Sequence, residues 1–196
     1  MTDLAGTQTE KAALRETALA RRDALPAEAR KQAAETIAAR PFPVTLPEGV
    51  IVSGYSPIRS ELNPWPLMRA LSQRAAGFAL PVVRRRGEPL VMRAWSFGAP
   101  LVSGVWGIRE PGPEAEEVFP DILLVPLAAF DRTGQRIGYG AGHYDRTIAG
   151  LRAMKPALAI GLAFAAQEID RVPATAFDAR LDLVLTEHKV FDFRER

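Results

Sequence analysis

The chain has 196 residues, 47% of them apolar, with 25 Lys and Arg against 23 Asp and Glu. That balance suits one globular domain with a substantial core and speaks against a nucleic-acid partner, since the one basic cluster, Arg84, Arg85 and Arg86, precedes Gly87 and reads as a solvated hairpin tip. The absence of cysteine excludes disulfides and thiolate metal sites, two histidines leave no structural zinc site, and no segment has the apolar length of a membrane span, so a cytoplasmic protein without a membrane partner is expected.

Residues Thr9 to Asp23 are predicted as a helix, and Pro26 opens a second one that ends near Arg40. Val50 to Tyr55 reads as an apolar, β-branched strand. Asn63 and Pro64 are the cap and first position of a helix expected to run to Ala76 and stop at Gly77, with Trp65, Leu67, Met68 and Leu71 as core residues. Phe78 to Val83 and Leu90 to Trp95 form a strand pair around the arginine turn, followed by a loop-rich stretch, "SGVWGIREPGPEAEE". Asp121 to Pro126, Ala157 to Phe164 and Leu181 to Thr186 have the continuous apolar character of buried strands. Between the first two lies a helix from about Gly142 to Leu151. The alternation predicts an α/β fold: a single three-layer α/β/α domain, residues 1–196, around a mainly parallel or mixed sheet.

That helix is entered through "RIGYGAGHYDR", Arg136 to Arg146. Gly138, Gly140 and Gly142 supply bare amides at a helix N-terminus, where a phosphate rests well. Ligands of such sheets bind at the carboxyl ends of the strands, and the loop is expected there. Its spacing matches neither the dinucleotide fingerprint nor the P-loop, whose lysine it lacks. Cations must therefore come from elsewhere: Arg136 and Arg146 flank the loop, and Lys11 and Arg15 lie four residues apart on one helix face. A nucleotide brings magnesium, for which Asp145 and Asp182 are candidate carboxylates.

"FDRTGQRIGYGAGHYDRTIAG" resembles the signature of the 5-formyltetrahydrofolate cyclo-ligase family, and "KAALR", "YSPIRSELNP", "LP" at Leu80-Pro81, "WGIREP" and "RLDLVLTE" follow its other segments in order. The resemblance implies ATP- and magnesium-dependent closure of 5-formyltetrahydrofolate to 5,10-methenyltetrahydrofolate, with release of ADP and phosphate. It places ATP at Lys11, Arg15, Arg136, Ile137, Gly138, Tyr139, Gly140, Ala141, Gly142, His143 and Tyr144. The folate falls at Ser56, Glu61, Trp106 and the same loop from Tyr139 to His143, with Tyr55 as a further cleft aromatic. Asp145 and Asp182 match the magnesium carboxylates, and Arg136 and Asp145 are the catalytic candidates. His143 stands where the family usually has Tyr or Phe, and Ala141 where it often has Gly or Lys. The expected partners are 5-formyltetrahydrofolate and ATP, bound by a monomer or weak homodimer. Two readings compete: a non-catalytic folate-binding module, and another ATP-using enzyme of a related α/β fold. A folate sink has no use for a magnesium-ATP site.

Overall fold

Helix and strand follow the apolar periodicity of the chain, and a computed structural model describes residues 4–75 and 77–194. In chain order the first half contains α1 (Leu4–Asp23), α2 (Ala27–Ala39), β1 (Ile51–Ser53), α3 (Trp65–Leu71), β2 (Gly77–Val82), β3 (Val91–Trp95), β4 (Val102–Ser103) and β5 (Arg109–Glu110). The second half contains β6 (Ile122–Pro126), β7 (Ala129–Phe130), β8 (Arg136–Ile137), α4 (His143–Met154), β9 (Leu158–Leu162), β10 (Leu183–Leu185) and β11 (Val190–Asp192).

Seven strands form one sheet in the order β11-β10-β9-β6-β1-β2-β3. The interior strands are parallel; β3 and β11 close the two edges antiparallel. Successive side chains of a strand point to opposite faces, so a sheet covered on both sides needs apolar residues at every position. Val52, Leu124, Ile160 and Leu183 accordingly pack with Ala33, Ile37, Leu67 and Met68 of α2 and α3. Leu123, Val125, Ala159 and Val184 pack with Ile148 and Leu151 of α4 on the other face. This is the expected three-layer arrangement. Trp65, expected in the core, packs against that first cluster with its ring 5.2 Å from Trp95.

Helix α1 stands apart from these layers: its Ala18 meets Ala128, Ala129, Ile137 and Val172. It therefore lies over the β7–β8 hairpin, just beyond the carboxyl end of β6, and this brings Lys11 and Arg15 to the glycine loop.

Some boundaries differ from expectation. Helix α1 begins at Leu4 instead of Thr9, and α3 ends at Leu71 with turns after it; the predicted end at Ala76 lies outside the described residues. The hairpins β4–β5 and β7–β8 and the edge strand β11 went unpredicted, because strands of two or three residues carry no readable period.

Candidate active site

The glycine loop leaves β8 and turns into α4 through Gly142, which occupies the N-cap position at φ 68° and ψ 16°. Gly140 lies at φ 94°, so both adopt left-handed backbone that a side chain resists. The glycines also make room for arginines. A Cβ at Gly142 would fall 2.5 Å from Arg146 Nη1, one at Gly138 3.0 Å from Arg136 Nη1, and one at Gly140 3.8 Å from the Arg15 guanidinium carbon. Gly142 and Gly138 thus let two guanidinium groups close on the loop, while Arg15 rests beside Gly140 at ordinary contact distance.

Each cation has a defined anchor. Arg136, 5% exposed, donates from Nη2 to Asp145 Oδ1 at 2.7 Å, and that oxygen also accepts the Ala179 amide at 3.1 Å. Arg15 Nε donates to the Gly138 carbonyl at 2.6 Å, and burial lowers its pKa. Arg146 Nη1 reaches back to the Ala141 carbonyl at 3.0 Å. Lys11 Nζ donates to both oxygens of Asp178, at 2.5 and 2.6 Å. Burial pushes the Asp178 pKa up, but the Lys11 and Thr175 donors outweigh it and hold the carboxyl below its ordinary range. Three side-chain atoms of this segment, Arg136 Nε, His143 Nε2 and Tyr144 Oη, are buried without a hydrogen-bond partner in the protein. Buried polar atoms in native proteins are nearly always satisfied, so each of these three calls for a partner that the protein itself does not supply.

The second expected metal ligand is elsewhere. Asp182 Oδ2 accepts Arg152 Nη2 and the Ala159 amide, each at 2.7 Å, and so ties β10 to β9 and to the last turn of α4. From Asp145 to Arg152 the helix rises about 10 Å, so Asp182 sits at the opposite end of α4 from the loop. The structure thus does not bring Asp145 and Asp182 together. Among the described residues no group of three His, Cys, Asp or Glu side chains is placed to hold a metal ion.

Of the residues expected at the folate, Glu61 is 9% exposed and accepts the Ile58 amide on Oε2 at 2.9 Å. Burial raises its pKa, against the hydrogen bond from Tyr139 and the charge of Arg22. Trp106 is 66% exposed at φ 58°, and its ring lies 6.3 Å from that of His143, whose Nδ1 meets the Glu88 carbonyl at 2.7 Å. Ser56 donates to the Arg109 carbonyl at the start of β5. Tyr55 is a core residue instead of a cleft aromatic: its hydroxyl donates to the Leu62 carbonyl at 2.6 Å among the apolar side chains under α3. Sequence reasoning missed Arg22 and Asp178. Lys11, Arg15, Ala18 and Arg22 follow the i, i+4, i+7, i+11 spacing of one helix face, and that stripe was a readable signal for Arg22.

The profile of the 5-formyltetrahydrofolate cyclo-ligase family matches residues 7–187. The chain belongs to this family. A 5-formyltetrahydrofolate cyclo-ligase of Mycolicibacterium smegmatis is 37% identical over 146 residues, 70% of this chain and 74% of that protein. One of Escherichia coli is 30% identical over 181 residues, 88% of this chain and 98% of that protein. The NMR structure of Aquifex aeolicus 5,10-methenyltetrahydrofolate synthetase superposes with a TM-score of 0.77 at 30% identity, covering 94% of this chain and 93% of that one. Membership of the cyclo-ligase family makes the protein an enzyme, a ligase acting on 5-formyltetrahydrofolate.

Proposed function

We propose that the protein uses ATP and magnesium to close 5-formyltetrahydrofolate into 5,10-methenyltetrahydrofolate, releasing ADP and phosphate. The observation that carries this reading is the loop on which Arg136, Arg15 and Arg146 gather around Gly138, Gly140 and Gly142 at the N-terminus of α4, with Lys11 one turn before Arg15 on α1. Four cations and a helix N-terminus match a triphosphate. A buried carboxylate such as Glu61 matches the N–H donors of a pterin.

The formyl oxygen is a poor leaving group. Transfer of the γ-phosphoryl group forms a bond from phosphorus to that oxygen as its bond to the β-bridging oxygen breaks. N10 then attacks the formyl carbon and loses its proton, and phosphate departs with the C–O electron pair. In this scheme Lys11, Arg15, Arg136 and the loop amides hold the phosphates in line, and charge neutralisation replaces a protein nucleophile. Glu61 and Ser56 orient the pterin, and Trp106 and His143 flank the ring system. Magnesium bound to the nucleotide neutralises phosphate charge. It needs one or two protein carboxylates when phosphates and water complete its shell, and Asp145 is the one that would hold it. The reading includes a cytoplasmic enzyme, monomeric or weakly dimeric, with no nucleic-acid or membrane partner; no helix among the described residues is long and apolar enough to cross a membrane.

Calorimetric titration with ATP tests the cradle. Binding that strengthens with magnesium and weakens in Lys11→Ala is the expected result; ATP affinity unchanged in that variant would remove the loop face of α1 from the nucleotide site.

A further inference from the structure

Arg22 is 2% exposed, and a guanidinium so deeply buried must be paired and hydrogen-bonded or it destabilises the fold. Its Nη1 donates to the Tyr139 hydroxyl at 2.5 Å and its Nε to Ser60 Oγ at 2.9 Å. Ser60 donates in turn to Asp23, and Glu61 follows Ser60 directly in the chain. The result is a continuous chain, Asp23–Ser60–Arg22–Tyr139, in which one buried cation bridges the residue beside Glu61 and the tyrosine of the glycine loop.

Its position matters more than its stability. Tyr139 stands between Gly138 and Gly140 in the loop assigned to the nucleotide, with its ring exposed and its hydroxyl anchored inward. Ser60 and Glu61 are in the segment assigned to the folate, and Arg22 lies two helical turns beyond Arg15 on the same face of α1. One buried arginine therefore holds both halves of the site.

We infer that Arg22 is a positioning residue that, through Tyr139, couples occupancy of the nucleotide loop to the orientation of Glu61, so that ATP and the folate bind cooperatively. The inference rests on the proposed function. Phosphates that settle the loop settle the Tyr139 hydroxyl with it, and Arg22 carries that placement to Ser60 and so to Glu61 beside it. Thermodynamic linkage makes the effect reciprocal: the folate must tighten ATP by the same factor.

The test is a pair of binding isotherms for 5-formyltetrahydrofolate, with and without a saturating non-hydrolysable ATP analogue and magnesium, on the full chain and on Tyr139→Phe and Arg22→Lys. Tyr139→Phe keeps the ring and removes the hydroxyl; Arg22→Lys keeps the charge and removes the fork that reaches Ser60 and Tyr139 together. The parent is expected to bind the folate at least about fivefold more tightly with the analogue present, the lower end of common coupling factors. Both variants should bring that ratio toward one, and Tyr139→Phe should also unfold at a lower midpoint than the parent, since it leaves one donor of the buried Arg22 unpaired. A parental ratio of one, or a ratio in Tyr139→Phe equal to the parent's, overturns the inference. A merely structural arginine would lower stability without touching the ratio. Parent protein that turns over but shows an unchanged ratio in Tyr139→Phe counts against the coupling alone, whereas parent protein that fails to turn over counts against the proposed function as well.

Discussion

Lys11 and Asp178 show how single side chains carry this site. Asp178 has a depressed pKa, so its ionised form is favoured in the folded state, and the stability it provides is present above its unfolded value near 3.8 and lost as pH falls through the lower, folded one. Asp178→Asn should therefore destabilise the protein at pH 7 by about 1–3 kcal/mol, the penalty for a charge-assisted bond lost beside a buried cation. The deficit should shrink below pH 3.8, which urea unfolding from pH 7 to pH 3 reads directly; a deficit that stays constant with pH would mean that the Lys11 pair contributes nothing. Arg15→Ala removes both a phosphate cation and the donor to Gly138, and ATP affinity should fall about ten- to a hundredfold. The grouping of Arg15, Arg136 and Asp145 at the glycine run was legible, because charged residues at helical spacing or beside such a run stand out in a sequence. Asp178 was not: it lies in an irregular stretch and meets Lys11 across 167 residues. Asp182, a carboxylate before a buried strand, bonds the Ala159 amide of the neighbouring strand, and no local pattern distinguishes that from a ligand.

At the scale of elements, the loop and α4 form one device. Gly142 is left-handed and pressed by Arg146, so Gly142→Ala must either strain the backbone or displace the guanidinium. The left-handed cost alone is about 1–2 kcal/mol, and ATP affinity should fall with it; a variant with parental unfolding midpoint and parental ATP isotherm would show that the glycine is dispensable. At the far end of the same helix, Asp182→Asn loses the Arg152 pair, which is partly exposed and worth at most about 1 kcal/mol. Its magnesium titration should overlay that of the parent. A raised magnesium requirement would return Asp182 to the metal site. The long buried strands and α4 were readable from continuous apolar runs and helical spacing, but the β7–β8 hairpin depends on Asp131 accepting not only the nearby Thr133 and Gln135 amides but also the Val172 amide 41 residues on, a bond that no local pattern encodes.

Across the whole molecule, the α/β/α architecture was legible from the alternation of strands and helices, whereas the placement of α1 was not. A helix at the start of the chain reaches a loop more than 120 residues later because Ala18 packs on the hairpin beneath that loop, a consequence of tertiary packing rather than of local sequence. This docking brings Arg15 to the glycine loop on one side and assembles the Ser60–Arg22–Tyr139 chain on the other. The account stands or falls on the whole site working at once. Formation of 5,10-methenyltetrahydrofolate from 5-formyltetrahydrofolate, followed by absorbance with purified protein, is the direct measurement. The predicted result is turnover that requires ATP and a divalent cation together; product formed after complete removal of nucleotide, or none formed with all components present, would contradict it.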